Sequence, residues 1–318
     1  MRDEPLQPTV APERGFLDWP IVTDPRDWQA EVALIGLPHS EPYASDPHPN
    51  DQARAPEAVR RQSHQISDGA DHWNFDLGAA LSGLGLGRCI DCGDLPWTEG
   101  PYDAHAARAT GLLRRLFRNR TQVFVLGGDH GVTIPVLDAL EAVGEPVHVV
   151  QIDAHLDWRA EVGGIRRGYS SPMAWASRLP WISGMTQIGL RGTGSARRAE
   201  VEAARAYGSL LVTAERVHAD GLGPVLAAIP EAAPIYLTID ADGLDPSEMP
   251  GVLGPAPGGL RFAQVAPFLR ALARRQRVVG CDVVEVAPSF DSAGAITAIT
   301  AGRLILQVLG ASRAGASG

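Results

Sequence analysis

Eight short runs, most of them rich in Val, Ile and Leu, punctuate the chain at positions 32–37, 88–91, 122–126, 147–152, 186–190, 210–213, 235–239 and 278–284. Between several of them lie longer amphipathic segments, at 103–117, 133–143, 196–207, 262–275 and 297–309. A strand that is apolar throughout has to be covered on both faces, and helical connections make successive strands parallel. The pattern therefore predicts an α/β protein: a single three-layer α/β/α sandwich built on a mostly parallel eight-stranded sheet. At 318 residues such a core needs no disulfide staple. Residues 1–28, with five prolines, are expected as an N-terminal arm, 29–310 as one domain and 311–318 as a flexible tail.

Parallel strands place all their carboxyl ends on one edge, and ligands of such sheets bind beyond that edge. Three strand ends there carry acids and imidazoles. The third reads Leu126-Gly127-Gly128-Asp129-His130, and the fourth Gln151-Ile152-Asp153-Ala154-His155-Leu156-Asp157. The seventh reads Thr238-Ile239-Asp240-Ala241-Asp242, followed by Gly243-Leu244-Asp245-Pro246. In extended chain, alternate residues point to one side, so Asp153, His155 and Asp157 can converge, as can Asp240 and Asp242. Glycines 127 and 128 are expected to let the backbone turn tightly before His130.

The charge of this set calls for cations. Asp153, Asp157, Asp240 and Asp242 together carry −4, which two divalent ions would balance. Without them, carboxylates this close would repel and some would stay protonated. With them, the site is neutral and can activate water at neutral pH. Oxygen and imidazole donors without thiolate favour manganese, with nickel, cobalt or zinc as alternatives.

Composition removes other chemistries. All 28 basic residues are arginine, so a Schiff-base lysine, a pyridoxal phosphate anchor and a phosphate-loop lysine are all excluded. A net charge of −9 argues against nucleic acid as a partner. No apolar run is long enough to span a membrane, and the polar N-terminus lacks the apolar core of a signal peptide. The three cysteines point to a reducing, cytoplasmic setting. Cys89 and Cys92 form a C-x-x-C within an apparent strand, where residues three apart face opposite sides, so both are expected to be structural.

The motifs G-G-D-H, D-A-H-x-D and D-x-D-x-x-D-P, in that order, resemble those of the ureohydrolase family, and Met249-Pro250-Gly251 and Pro257-Gly258-Gly259 resemble the loop that follows. The resemblance runs over most of the chain. It implies an arginase-like fold, a homo-oligomer (trimer or hexamer), and hydrolysis of a small guanidino compound to urea and an amine, as in an agmatinase. It also implies that His130, Asp153, Asp157 and Asp240 hold one ion, and His155, Asp153, Asp240 and Asp242 the other. Asp157 would further orient the attacking water, and Glu285 would pair with the guanidinium, a fork that two carboxylate oxygens match.

One departure stands out. Many relatives carry a His-Gly pair about a dozen residues after D-A-H-x-D, and that histidine protonates the leaving amine. Here the stretch is Arg166-Arg167-Gly168-Tyr169-Ser170-Ser171. The proton then has to come from another group, with Tyr169, His39 or His48 as candidates. Tyr169 and Ser170 are also expected to line the substrate pocket. Trp158 and Arg159 are expected to contact the substrate tail, Arg159 suiting a carboxylate as in 4-guanidinobutanoate. Three other readings compete: a deacetylase-like amidohydrolase with a single zinc, a non-catalytic regulatory subunit, and the same two-metal chemistry on formimino compounds or other small substituted guanidines. The intact ligand set argues against the first two.

Overall fold

A computed structural model describes residues 7–44, 51–67, 71–96 and 102–314. All eight expected strands form: Val32–Leu37 (β1), Cys89–Asp94 (β2), Gln122–Gly127 (β3), Val147–Ile152 (β4), Ile182–Leu190 (β5), Leu210–Thr213 (β6), Ile235–Asp240 (β7) and Val278–Val284 (β8). They make one sheet in the order β2-β1-β3-β8-β7-β4-β5-β6, and every neighbouring pair is parallel. Strands β1, β3, β4, β7 and β8 are buried along their whole length, which is why they read as unbroken apolar runs.

Alternation along these strands splits the core in two. Leu34, Phe124, Leu237 and Cys281 face one side, packed with Leu269, Leu272, Leu304 and Ile305 of the helices Phe262–Arg275 and Ile296–Ala314. Ala33, Ile35, Val123, Val125 and Tyr236 face the other, packed with Leu112, Leu113 and Leu116 of Tyr102–Arg118. The result is the three-layer α/β/α sandwich. No described helix is long and apolar enough to cross a membrane.

Several elements differ from the sequence expectation. The helices Ala55–Ser67, Pro172–Ala176, Ala214–Asp220 and Gly223–Ala228 were not anticipated. Three of these are single or double turns, too short for helical periodicity to register. The fourth, Ala55–Ser67, is rich in polar residues and forms where its Arg60 enters a buried ion pair. Residues 7–28 are not an isolated arm. Phe16 and Trp28 are wholly buried, and Val10 and Ile21 bridge to Asp94 and Asp91 of the edge strand β2. The segment thus covers an edge that would otherwise expose unpaired backbone groups. At the other end, the last helix continues through Ala314, and Ala311 is buried. Cys89 and Cys92 are free thiols, the latter buried, and burial pushes its thiol well up.

Asp91 is the anchor of that edge. Its carboxylate accepts from Phe16 N at 2.8 Å and from Arg60 Nε and Nη2 at 2.8 and 2.9 Å. Removing one partner strands a buried charge, which costs about 3–5 kcal/mol. Arg60→Met is therefore expected to lower the urea unfolding free energy by about that amount; a loss of well under 1 kcal/mol would show that the pair is not what fastens residues 7–28.

Candidate metal centre

The four central strands β3, β8, β7 and β4 are neighbours, and each delivers an ionisable group to the same edge. After β3 the chain enters a short turn, His130–Val132, capped by Asp129. Asp129 accepts from Gly131 N at 2.9 Å and from Glu41 N at 2.6 Å, which fixes the position of His130. Gly128 has a reason other than the expected tight turn. A Cβ there would lie 1.6 Å from the carbonyl oxygen of His39, so glycine is needed for close approach of two backbones.

The convergence of the ligands also has a different origin from simple strand alternation. Strand β4 ends at Ile152, and Asp157 takes a left-handed φ of 49°. Strand β7 ends at Asp240, and Ala241–Gly243 is a turn. Backbone amides set the carboxylates: His155 N donates to Asp153 Oδ1 at 2.5 Å, Asp242 N to Asp240 Oδ1 at 2.8 Å, and Ala154 N to Asp242 Oδ1 at 3.1 Å.

Two donor clusters result. His130, Asp153, Asp157 and Asp240 form one, and Asp153, His155 and Asp242 the other, with the donor atoms of each within 4.8 Å of one another. Asp153 belongs to both. Oδ2 atoms of Asp153, Asp157 and Asp240 lie 3.2, 2.8 and 3.2 Å from His130 Nδ1. His155 Nδ1 lies 3.0 Å from Asp242 Oδ2. Despite these distances, the buried Nδ1 of His130 has no hydrogen-bond partner of acceptable geometry. Atoms arranged around a common point rather than aimed at one another suit a cation between them. The donor set therefore fits two divalent ions.

The electrostatics say the same. Burial, and then repulsion from Asp157 and Asp242, pushes the Asp153 carboxyl well above its usual range. Asp240 is raised by burial, then by Asp242 and Asp153. Burial opposes protonation of His155, but Asp242 overcomes it and raises the imidazole to about 11. Burial likewise opposes the charge on Asp242, yet its bond with His155 holds that carboxyl below its usual value. The polypeptide alone leaves excess negative charge here, and protons take the places that metal ions would fill.

A cavity of about 240 Å³ adjoins the clusters, lined by His155, Asp157, Asp240, Asp242 and Glu285 together with Gln52, Tyr169, Ser170, Ser195, Leu253 and Gly254. Glu285 follows β8 with a left-handed φ of 64°. Its carboxylate accepts from His130 N at 2.7 Å and from Gln52 Nε2 at 2.9 Å. Burial pushes its pKa up to about 7.

Of the remaining candidates, Tyr169 and Ser170 are in this wall, with the Tyr169 ring 4.2 Å from that of Tyr43. Trp158 and Arg159 are not. The kink at Asp157 sends Trp158 into the core, 5.8 Å from the Tyr207 ring. Arg159 is engaged by Glu200 at 3.3 Å and by the carbonyl of Ser195 at 3.0 Å, so it braces a wall residue instead of facing a substrate. His39 is buried against His105 and Tyr102, ring centroids 4.9 and 5.1 Å away. Burial pulls its pKa down to about 4, and it does not line the cavity, so its position does not suit a proton relay. His48 lies outside the described residues.

Gln52, Ser195, Leu253 and Gly254 carried no signal in the sequence, since nothing in an isolated glutamine, serine or leucine marks a pocket wall. Arg191 was also missed. Its guanidinium donates to five carbonyls, those of Gly189, Asp242, Gly243, Leu244 and Ala256. It thereby ties the Asp242 turn to the loop beyond Gly254. Asp245 organises the same loop, accepting from Ser247, Gly258 N and Gly259 N. Its bonds to Ser247, and then to these backbone amides, hold its carboxyl near pKa 2 in spite of partial burial.

The shared position of Asp153 makes the clusters separable by mutation. His155→Ala is expected to leave one tight ion per chain, and Asp153→Ala none, by elemental analysis after dialysis against manganese. Equal stoichiometry in the two variants would contradict a bridging Asp153.

Comparison with known proteins agrees with this geometry. The model of the Arginase family matches residues 30–310. The chain is 31% identical to proclavaminate amidinohydrolase of Streptomyces clavuligerus, over 96% of this chain and 95% of that protein. It is 32% identical to N(1)-aminopropylagmatine ureohydrolase of Thermus thermophilus, over 85% and 87%. The solved structure of the Streptomyces clavuligerus amidinohydrolase superposes with a TM-score of 0.83 at 30% identity, covering 97% of this chain and 100% of that one. The chain belongs to the arginase family and is a metal-dependent hydrolase of amidino groups.

Proposed function

We propose that the protein hydrolyses a small guanidino compound to urea and an amine, in the manner of an agmatinase. The observation that carries this reading is the position of Glu285: its carboxylate lines the same cavity as both donor clusters, at the end of β8, with β7 between it and the strand that carries Asp153. In this reading His130, Asp153, Asp157 and Asp240 hold one ion, and His155, Asp153, Asp240 and Asp242 the other. Manganese suits these oxygen and imidazole donors best. Bound there, two divalent ions would activate water for attack on the guanidino carbon.

The chain's own residues supply the rest. Glu285 is oriented by His130 N and Gln52, one bond to each oxygen, so both oxygens keep a lone pair for the two N–H groups of a guanidinium. That fork holds the central carbon over the clusters. Asp157 orients the attacking water. The leaving amine needs a proton, and Tyr169 is the wall hydroxyl nearest in sequence to the place of the family histidine.

The wall also bears on the substrate tail. Tyr169, Ser170, Ser195, Leu253, Gly254 and Gln52 are all uncharged. With Arg159 engaged elsewhere, no described arginine lines the cavity to receive a carboxylate. This lining therefore offers no partner for the carboxylate of 4-guanidinobutanoate. The reading carries with it assembly as a trimer or hexamer and a cytoplasmic setting, the former open to sedimentation analysis.

The test is urea release by the manganese-loaded protein from agmatine, 4-guanidinobutanoate, arginine and guanidine. Urea from one member is expected; none from any, with two ions bound, would remove the guanidino reading and turn attention to formimino and amide substrates. Glu285→Gln is expected to lower kcat/KM about 100-fold, the loss of one charged pair, with metal content unchanged. Tyr169→Phe is expected to lower kcat by about 10²-fold or more with little change in KM if the phenol delivers the proton.

A further inference from the structure

Asp153 is held from behind by a row of buried side chains that touch neither the cavity nor the solvent. Gln151, on β4, donates from Nε2 to Asp153 Oδ2 at 2.5 Å. Its Oε1 accepts from Gln187 Nε2, on β5, at 2.6 Å. The same Nε2 donates to the carbonyl of Leu156 at 2.8 Å, in the middle of the ligand loop. Gln187 Oε1 in turn accepts from Ser209 Oγ at 2.9 Å. Both glutamines are fully buried and Ser209 nearly so.

One end dictates the direction of the whole row. With the ions in place Asp153 is ionised and can only accept, so Gln151 must turn its NH₂ toward Asp153 and its carbonyl toward β5. Gln187 must then present its NH₂ to that carbonyl, and its own carbonyl is left for the Ser209 hydroxyl. No member can flip without leaving a buried polar group unpaired.

The consequence falls on the bridge. Oδ1 of Asp153 accepts from His155 N at 2.5 Å and Oδ2 accepts from Gln151. A carboxylate oxygen offers about two lone-pair sites, so each keeps roughly one. Oδ2 faces the His130 cluster, 3.2 Å from its Nδ1, and Oδ1 is the oxygen nearer His155, 3.7 Å from its Nδ1. Each oxygen is thus left about one lone-pair site, directed at the cluster it faces.

We propose that Ser209, Gln187 and Gln151 form a positioning relay that fixes the orientation of the Asp153 carboxylate, one oxygen toward each donor cluster, and, through the Leu156 carbonyl, locks the loop that carries His155 and Asp157. The proposal rests on the two-ion reading given above and adds what sets the spacing of the pair. None of the three residues touches substrate. Their effect is on how tightly the second ion is held once the first is in place.

The test titrates metal-free protein with Mn²⁺. Equilibrium dialysis gives the number and affinity of bound ions, and electron paramagnetic resonance reads the coupled pair. The variants are Gln151→Met and Gln187→Met, which keep length but cannot donate. The control is Thr186→Val. It breaks another buried bond between β4 and β5, His148 Nε2 to Thr186 Oγ1 at 3.0 Å, at the amino end of β4 away from the ligands. The glutamine variants are expected to bind the second ion about 10–100-fold more weakly and to lose the coupled signal. Thr186→Val is expected to lower the unfolding midpoint of the metal-free protein while keeping both affinities. If a methionine variant does not fold, Ser209→Ala deletes only the far donor, and it is expected to weaken the same site in the same direction. Wild-type affinity in the glutamine and serine variants, or equal weakening by Thr186→Val, would overturn the relay alone. Fewer than two ions on the wild-type protein would overturn the two-ion reading and the relay with it.

Discussion

A buried excess of negative charge is the constraint on which the rest of this molecule turns. Asp153, Asp157, Asp240 and Asp242 gather with Glu285 on the carboxyl edge of four central strands, and nearly all are out of solvent. No described arginine reaches them to balance the charge; among the described residues, the imidazoles of His130 and His155 are the only partners of basic character in the two clusters. Such a set is unfavourable for the polypeptide by itself, because desolvation and mutual repulsion act in the same sense. It becomes favourable when divalent cations bind. Metal affinity and folding stability are therefore linked, and ions that bind only the folded chain will stabilise it by mass action.

Holding that arrangement against its own repulsion takes much of the surrounding structure. Peptide N–H groups grip one oxygen each of Asp153, Asp240 and Asp242. Arg191 spends its guanidinium on backbone carbonyls of the Asp242 turn, so a cation works here as a clamp on loops instead of a counter-ion to carboxylates. Asp157 and Glu285 sit in left-handed backbone, a strain of about 1–3 kcal/mol for each non-glycine residue. Two residues expected to act on water and substrate are thus both held in conformations that an unconstrained chain avoids. The sheet and the turns after it over-determine them.

The outer part of the site is built differently. The wall is uncharged, and the two basic groups that could have given it a preference for anions are turned away: Arg159 toward Glu200 and Ser195, and Arg191 toward the carbonyls. Discrimination between substrates here depends on shape and on a few hydroxyl and amide groups. Such a wall reads the length of an apolar tail weakly, at about 1–3 kcal/mol for each methylene.

Much of this was legible in the sequence. Continuous apolar runs marked the five strands buried on both faces, which cannot hide their composition; β2, β5 and β6 showed as shorter or mixed runs, and the acids and imidazoles at three strand ends pointed to the candidate site. Length and polarity limited the rest: helices of one or two turns show no period, and Phe16 and Trp28 look like any aromatic residues of a proline-rich segment until β2 is there to receive them. What only the tertiary structure decided is which side chains face which way. The kink at Asp157 turns Trp158 into the core, Glu200 draws Arg159 aside, burial removes His39, and Gln52, Gln151, Gln187 and Arg191 acquire their roles from partners up to 233 residues distant or from loops brought together by the sheet. The sequence determined the kind of chemistry, since donor identity and spacing are local. The position and support of each donor depend on contacts between distant strands, and those exist only in the folded chain.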